Sequence, residues 1–152
     1  MPEAGAVSAL AFDFGLHRIG VAVGQSITGS ATPAAVLSAL DGVPDWKAVD
    51  RLLQEWRPGI LVVGLPYTMD GSEQQFSQLA RRFAAELGQR YPVPVHMVDE
   101  RLSSHEAQAR LKELRRQGRR RIRRGDIDCA AACVILEGWF HANNNQVKRK
   151  PA

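Results

Sequence analysis

Apolar positions along this chain recur with two different periods, and the switch between them marks out the elements. Ile19, Val21 and Val23 alternate with Gly20, Ala22 and Gly24, the two-residue repeat of a strand. The runs Val7 to Phe12 and Ala34 to Ser38 are of the same short kind, so the first forty residues predict three strands in an antiparallel meander. A loop, Asp41-Gly42-Val43-Pro44, follows. Trp46, Val49, Leu52, Leu53 and Trp56 then fall on one helical face, with Asp45 as N-cap and Pro58-Gly59 as the stop; both tryptophans read as core. Ile60 to Gly64 is continuously apolar, as a strand covered on both faces would be. Ser72 with Gln75 forms a capping box for a helix that turns Phe76, Leu79, Ala80, Phe83, Ala84 and Leu87 inward and closes at Gly88 and Pro92. A strand over Val93 to Val98 and a helix opened by the Ser103–Glu106 box, through Ala107, Leu111 and Leu114, come next. The last helix runs from about Asp126 to Phe140. Its stripe of Ile127, Ala130, Ala131, Val134, Ile135 and Gly138 is small enough to lie close against a sheet. The order is β-β-β-α-β-α-β-α-α: an α/β fold whose mixed sheet has three antiparallel strands, then parallel ones, flanked by helices.

The pattern leaves one domain, residues 1–140, and a polar tail, 141–152, that reads as disordered. At 152 residues with 45% hydrophobic and 24% charged, the composition is that of a globular domain with a real core. No apolar run approaches the ~18 residues that would span a bilayer, and Met1-Pro2-Glu3-Ala4-Gly5 lacks the basic start of a secretory signal. Cys129 and Cys133, four apart in a helical pattern, suit neither a disulfide nor a complete metal site. They read as small core residues in a reducing cytoplasm.

Charge changes the picture more. Arg110 to Arg124 holds nine basic residues against one acidic, +8, so the remainder of a chain whose net charge is +4 carries −4. A solvated helix face would intersperse glutamates; here they are missing, and a dense arginine patch attracts a phosphate backbone.

Acidic residues lie where such a fold gathers ligands, beyond the carboxyl ends of its parallel strands. Asp13 ends the first strand, Asp99 and Glu100 end the last, and Asp126 and Asp128 open the final helix. Asp126 and Asp128 point about 200° apart and cannot both serve; Asp126 suits an N-cap, and Asp128 precedes the small-residue stripe. Asp99 and Glu100 point to opposite faces, and pattern alone does not choose between them. If Asp13, Glu100 and Asp128 meet, carboxylates ~4 Å apart repel by about 4 kcal/mol at an effective dielectric near 20, so they must protonate or bind cations. All-oxygen ligation selects Mg²⁺, with Mn²⁺ as a substitute, over zinc. A carboxylate-held Mg²⁺ pair beside an arginine patch implies in-line phosphodiester hydrolysis, with the arginines holding flanking phosphates and reading no bases.

Asp13-Phe14-Gly15 with Arg18-Ile19-Gly20-Val21-Ala22, Val63-Gly64-Leu65-Pro66 with Met69-Asp70-Gly71, Asp99-Glu100-Arg101-Leu102-Ser103, and Asp128-x-x-Ala131-Ala132 together resemble the YqgF family. That family is RNase H-like and is described both as Holliday junction resolvases and as pre-16S ribosomal RNA nucleases. The resemblance spans roughly Ala9 to Phe140 in order. It implies an RNase H-like fold, Mg²⁺ dependence, and 5′-end processing of pre-16S rRNA. Resolution of Holliday junctions in DNA recombination or repair is the alternative activity. By position it makes Asp13, Glu100 and Asp128 the catalytic, metal-binding acids, selecting Glu100 over Asp99. Three acids are evident against the four of a typical RNase H site, which leaves open whether both metals bind before substrate.

The nucleic-acid contacts expected are Arg18, Arg101, Arg116, Arg119, Arg120, Arg121, Arg123 and Arg124. Arg18 is either a phosphate contact or a structural counter-ion to Asp13; Tyr67 either stacks on a base or packs on Pro66. His17, His96 and His105 read as surface residues. The partners implied are pre-rRNA or branched DNA and ribosomal precursor particles, with no membrane, for a monomer or weak dimer. Two other readings stay open. One is a non-catalytic nucleic-acid-binding module of the same fold, which a cleavage assay separates. The other is a sugar-kinase- or actin-like phosphotransfer domain, for which the chain lacks a second lobe and a Gly-rich phosphate loop.

Overall fold

The computed structural model describes residues 7–65, 73–99, 105–118 and 124–148; at 73–74, 105, 115, 117–118, 124–128 and 144–148 it describes the backbone alone. In chain order the elements are β1 (Ser8–Asp13), β2 (Arg18–Gln25), β3 (Ser30–Leu40), β4 (Val43–Pro44), α1 (Trp46–Trp56), β5 (Ile60–Leu65), α2 (Glu73–Arg90), β6 (Val95–Asp99), α3 (His105–Gly118) and α4 (Arg124–Lys148).

The six strands form one mixed sheet in the order β4-β3-β2-β1-β5-β6. β1, β2, β3 and β4 pair antiparallel, and β1, β5 and β6 run parallel. The mixed architecture is the one the hydrophobic pattern predicts. The two faces of the sheet differ in side-chain size. Toward α1 and α2 it presents Leu10, Phe12, Ile19, Val21, Val23, Leu61 and Val63, packed on Val49, Leu52, Phe83 and Leu87. Phe12 meets Phe83 edge-on with ring centroids 5.5 Å apart. Toward α3 and α4 it presents Ala9, Ala11, Ala22 and Val62, packed on Leu111, Ala131, Ala132, Ile135, Leu136 and Phe140. At ~25 cal/mol per Å² of buried apolar surface the larger strand side chains of the first face contribute more per residue; the bare face lets α4 approach the backbone.

That approach is made by glycines of the strands. A Cβ on Gly24 would fall 2.9 Å from Phe140 and 3.0 Å from Leu136, and one on Gly64 would overlap Ile135. Gly138, read from the sequence as part of the close-packing stripe, has nothing within 4 Å of a Cβ.

Asp45 caps α1, its carboxylate accepting from the Lys47 N–H at 3.1 Å, and Arg57 ends it in the left-handed region at φ 44°. Trp56, expected in the core, is 38% exposed in the last turn, beyond the buried Val49 and Leu52. β3 is longer than the Ala34–Ser38 run and has many exposed positions, because β4 pairs with it only at Ala39 and Leu40; it tolerates Pro33 at a register shift opposite Val21 and Ala22. The expected loop at Asp41–Pro44 contains β4. α2 runs through Gly88 to Arg90, and α4 runs past Phe140 to Lys148. Within that extension the Asn143 side-chain amide donates to the Trp139 carbonyl at 2.8 Å. The box residues Ser72 and Ser103 lie outside the described residues.

Candidate active site at the carboxyl ends of the central strands

Asp13 is the last residue of β1 and, at 5% exposure, the one buried charged side chain among the described residues. Taking a carboxylate out of water costs several kcal/mol unless something compensates, and Asp13 does make an interaction within the protein. Its face follows from strand parity. Ala9 and Ala11 meet α4 while Leu10 and Phe12 meet α1 and α2, so Asp13 belongs to the α4 side.

Both cross-strand partners of Asp13 are glycines, Gly20 on β2 and Gly64 on β5. The positions directly opposite the carboxylate therefore carry no side chain, and on the β5 side the space over the backbone is taken by Ile135 of α4. Arg18 lies two residues from Gly20 on the same face, half-buried and itself engaged within the protein. The turn between them is held from outside: the His17 carbonyl accepts from the Ala39 N–H and the Leu16 carbonyl from the Gly42 N–H, each at 2.9 Å. Gly42, at φ +84°, could not carry a Cβ, which would fall 2.6 Å from the Phe14 ring.

On β6, Val95 and Met97 pack toward α1 and α2, whereas His96 and Val98 face α4; the His96 ring lies 5.5 Å from that of Trp139. Asp99, paired with Leu65, has the parity of Met97 and so turns away from the face of Asp13. β5 separates β1 from β6, so the Asp13 and Asp99 backbones stand about 10 Å apart.

Of the other expected site residues, Glu100, Arg101, Arg119, Arg120, Arg121 and Arg123 lie outside the described residues, as does Tyr67. Asp128 and Arg124 are placed by their backbone in the first turns of α4. Arg116 is exposed on α3 and pairs with Glu113 through its Nε at 2.9 Å and Nη2 at 2.5 Å, a bond that raises its already high pKa. Arg110 reaches Glu137 of α4 at 3.8 Å. Part of the basic run thus serves contacts within the protein. Cys129 and Cys133 are buried free thiols, as expected; Cys129 donates to the Ala35 carbonyl of β3 at 3.3 Å. Burial, with Glu137 and Cys129 nearby, pushes the Cys133 thiol up to about 11.

Among the described residues no group of three His, Cys, Asp or Glu is placed to hold a metal ion; of the three expected ligands only the Asp13 side chain is described. No described helix is long and apolar enough to cross a membrane. Gly20 and Gly64, which flank Asp13, are not marked out by the hydrophobic pattern. Their signal was present as Gly20 of the first motif and Gly64 of the Val63-Gly64-Leu65-Pro66 motif, but their pairing with Asp13 is not local in sequence.

The mixed sheet, antiparallel over β1 to β4 and parallel over β1, β5 and β6, is a fold found among solved Holliday junction resolvases. The RuvC of T. thermophilus, solved in complex with a Holliday junction substrate, shares it at TM-score 0.55 and 15% identity, over 91% of this chain and 96% of that one. A family model described as "RuvX: Holliday junction resolvase" matches residues 7–142, and the chain belongs to that family. A relative from Haemophilus influenzae (strain PittEE) is 47% identical over 134 residues, 88% of this chain and 95% of its own length. Another from Pectobacterium carotovorum subsp. carotovorum (strain PC1) is 50% identical over 135 residues, 89% and 96% respectively. Both are named "Putative pre-16S rRNA nuclease".

Proposed function

We propose that the chain is a Mg²⁺-dependent endonuclease that processes the 5′ end of pre-16S rRNA, with Asp13, Glu100 and Asp128 as its catalytic acids. The observation that carries the reading is the buried Asp13 carboxylate, set between two glycines under α4 at the carboxyl edge of the sheet. Asp13 already makes an interaction within the protein, and its carboxylate oxygens are of the kind that ligate a hard cation. The names of the relatives supply the substrate.

Parity supports the choice of acids. Asp99, the last residue of β6, has the parity of Val95 and Met97 and so lies on the side away from α4, which argues against it as the acid that joins Asp13. On α4, position 128 shares a stripe with Ala131, Ala132 and Ile135, all buried against the sheet. The donor set fits a hard divalent ion, because it is made of carboxylate oxygens without thiol or imidazole. When bound, such an ion lowers the pKa of the attacking water and stabilises the departing oxygen. Asp13, on the rigid end of a central strand, keeps its carboxylate fixed toward the scissile phosphate. Arg18, on the same face, neutralises a flanking phosphate, and Arg101, Arg116, Arg119, Arg120, Arg121, Arg123 and Arg124 bind the backbone on either side. Arg116 does so by exchanging Glu113 for a phosphate.

A second substrate reading, a four-way DNA junction, is favoured by the description of the family. The test offers purified protein a precursor 16S fragment and a four-way junction, each with Mg²⁺ or with EDTA. The expected result is Mg²⁺-dependent cleavage of the RNA at a single 5′ site, lost in Asp13→Asn with binding retained. Cleavage of the junction alone moves the assignment to DNA, and undiminished cleavage by Asp13→Asn removes the catalytic role.

A further inference from the structure

Gly64 has no side chain to offer the chemistry, yet it is the parallel-strand partner of Asp13. A Cβ built on it would overlap Ile135 Cδ1 and stand 3.1 and 3.3 Å from Ile135 Cγ1 and Cγ2. The Ile135 side chain thus rests directly on the β5 backbone, as low as a helix can sit there. Ile135 is seven residues from position 128: two helical turns, about 10.5 Å along the axis and about 20° in azimuth. Two further contacts define the lie of α4. Leu136 and Phe140 seat on Gly24 at one end, and the Cys129 thiol holds the Ala35 carbonyl at the other. Of these, the Ile135 seat is the one on a residue paired directly with Asp13.

We infer that the Gly64–Ile135 contact positions the acids: it sets the height of α4 over β1 and β5 and so fixes the separation of Asp128 from Asp13 across the metal site. This rests on the assignment of those two acids above. Close-packed interiors transmit a shift of even one methyl: an Ala at position 64 displaces Ile135 Cδ1 and presses on Cγ1 and Cγ2 nearer the helix, and on this inference the pressure reaches the helix stripe that carries position 128. Ile135 and Gly64 are then positioning residues.

The test measures Mn²⁺ binding by electron paramagnetic resonance without nucleic acid, the Mg²⁺ midpoint of cleavage, and nucleic-acid affinity in EDTA. Gly64→Ala is expected to raise both metal midpoints tenfold or more and to leave affinity in EDTA unchanged. Ile135→Val deletes Cδ1, the atom nearest Gly64; alone it loosens the seat and shifts the midpoints about threefold. In the Gly64→Ala/Ile135→Val double variant the new Cβ takes the space vacated by Cδ1, and the midpoints return to within about threefold of wild type. That non-additivity is the mark of direct coupling. Wild-type midpoints in folded Gly64→Ala overturn the inference, as does a double variant no better than Gly64→Ala. Should Gly64→Ala fail to fold, unchanged midpoints in Ile135→Val overturn it. In each of these the wild type still binds and uses metal through Asp13. Absence of metal binding in the wild type, or its persistence in Asp13→Asn, instead removes the acid assignment and the inference with it.

Discussion

Asp13→Asn separates the stability of this domain from its chemistry. The substitution keeps the size of the side chain and removes a charge from a site that is 5% exposed. In metal-free protein the buried carboxylate bears a desolvation cost offset by its contact within the protein. Arg18, the cation on the same face, is half-buried and can return to water when that charge is gone. Metal-free Asp13→Asn is therefore expected to lie within about 1 kcal/mol of wild type, or above it. Mg²⁺ changes the comparison. A ligand at ten times its Kd stabilises the native state by RT ln 11, about 1.4 kcal/mol. For a chain of 152 residues that is a rise in Tm of roughly 3–6 °C. Thermal unfolding followed by circular dichroism, with Mg²⁺ exchanged for K⁺ at constant ionic strength, reads the difference. Wild type should climb by that amount, and Asp13→Asn by less than about 1 °C. A variant that gains as much as wild type from Mg²⁺ would refute the placement of the ion at Asp13.

Three further outcomes follow from other parts of the molecule. Gly138→Ala, where a Cβ meets nothing within 4 Å, should stabilise the protein by about 0.5–1 kcal/mol in urea unfolding, as Ala does over Gly inside a helix; a loss would mean that α4 needs the glycine. Exchanging Arg119, Arg120 and Arg121 for Glu should weaken nucleic-acid binding and cut the log–log salt slope by about 2–3, at roughly 0.7–0.9 for each phosphate no longer neutralised. Fluorescence anisotropy across a KCl series measures it, and an unchanged slope leaves the run as a solvated face. The Cys133 thiol, raised to about 11 by burial, stays protonated when folded while the unfolded thiol ionises from about 9. Its contribution to stability is thus whole below pH 9 and falls away as pH rises toward 11. The stability difference between wild type and Cys133→Ala should shrink over that interval, and a constant difference would be inconsistent with it.

The strands and helices were legible wherever one residue's neighbours in sequence decide its fate. Asp45 caps α1 by reaching two residues ahead, and the alternation in β2 names its own faces. What the pattern missed depends on how far the partner element extends. Trp56 lies on the correct stripe of α1, but the stripe outruns what buries it. β3, covered on its outer side only by the two residues of β4, has too many exposed positions to display a period. Gly88 does not end α2, because Leu87 is fully buried on one side of it and the Tyr91 N–H reaches the Leu87 carbonyl on the other. At the site, Asp13 could be placed at a strand end from sequence alone. The face of Asp99 could not, since both faces of β6 are apolar. Nor could the flanking of Asp13 by Gly20 and Gly64, which is a matter of register between strands up to fifty residues apart.

The difference in bulk between the two sides of the sheet acts as an assembly check. A one-residue slip in β1 or β2 would exchange its sides, turning Phe12 or Val21 toward α4, where the strands leave space for alanine and glycine. α4 could not then dock. That helix thus accepts only a correctly threaded sheet, and a misaligned molecule would be left with its apolar underside open.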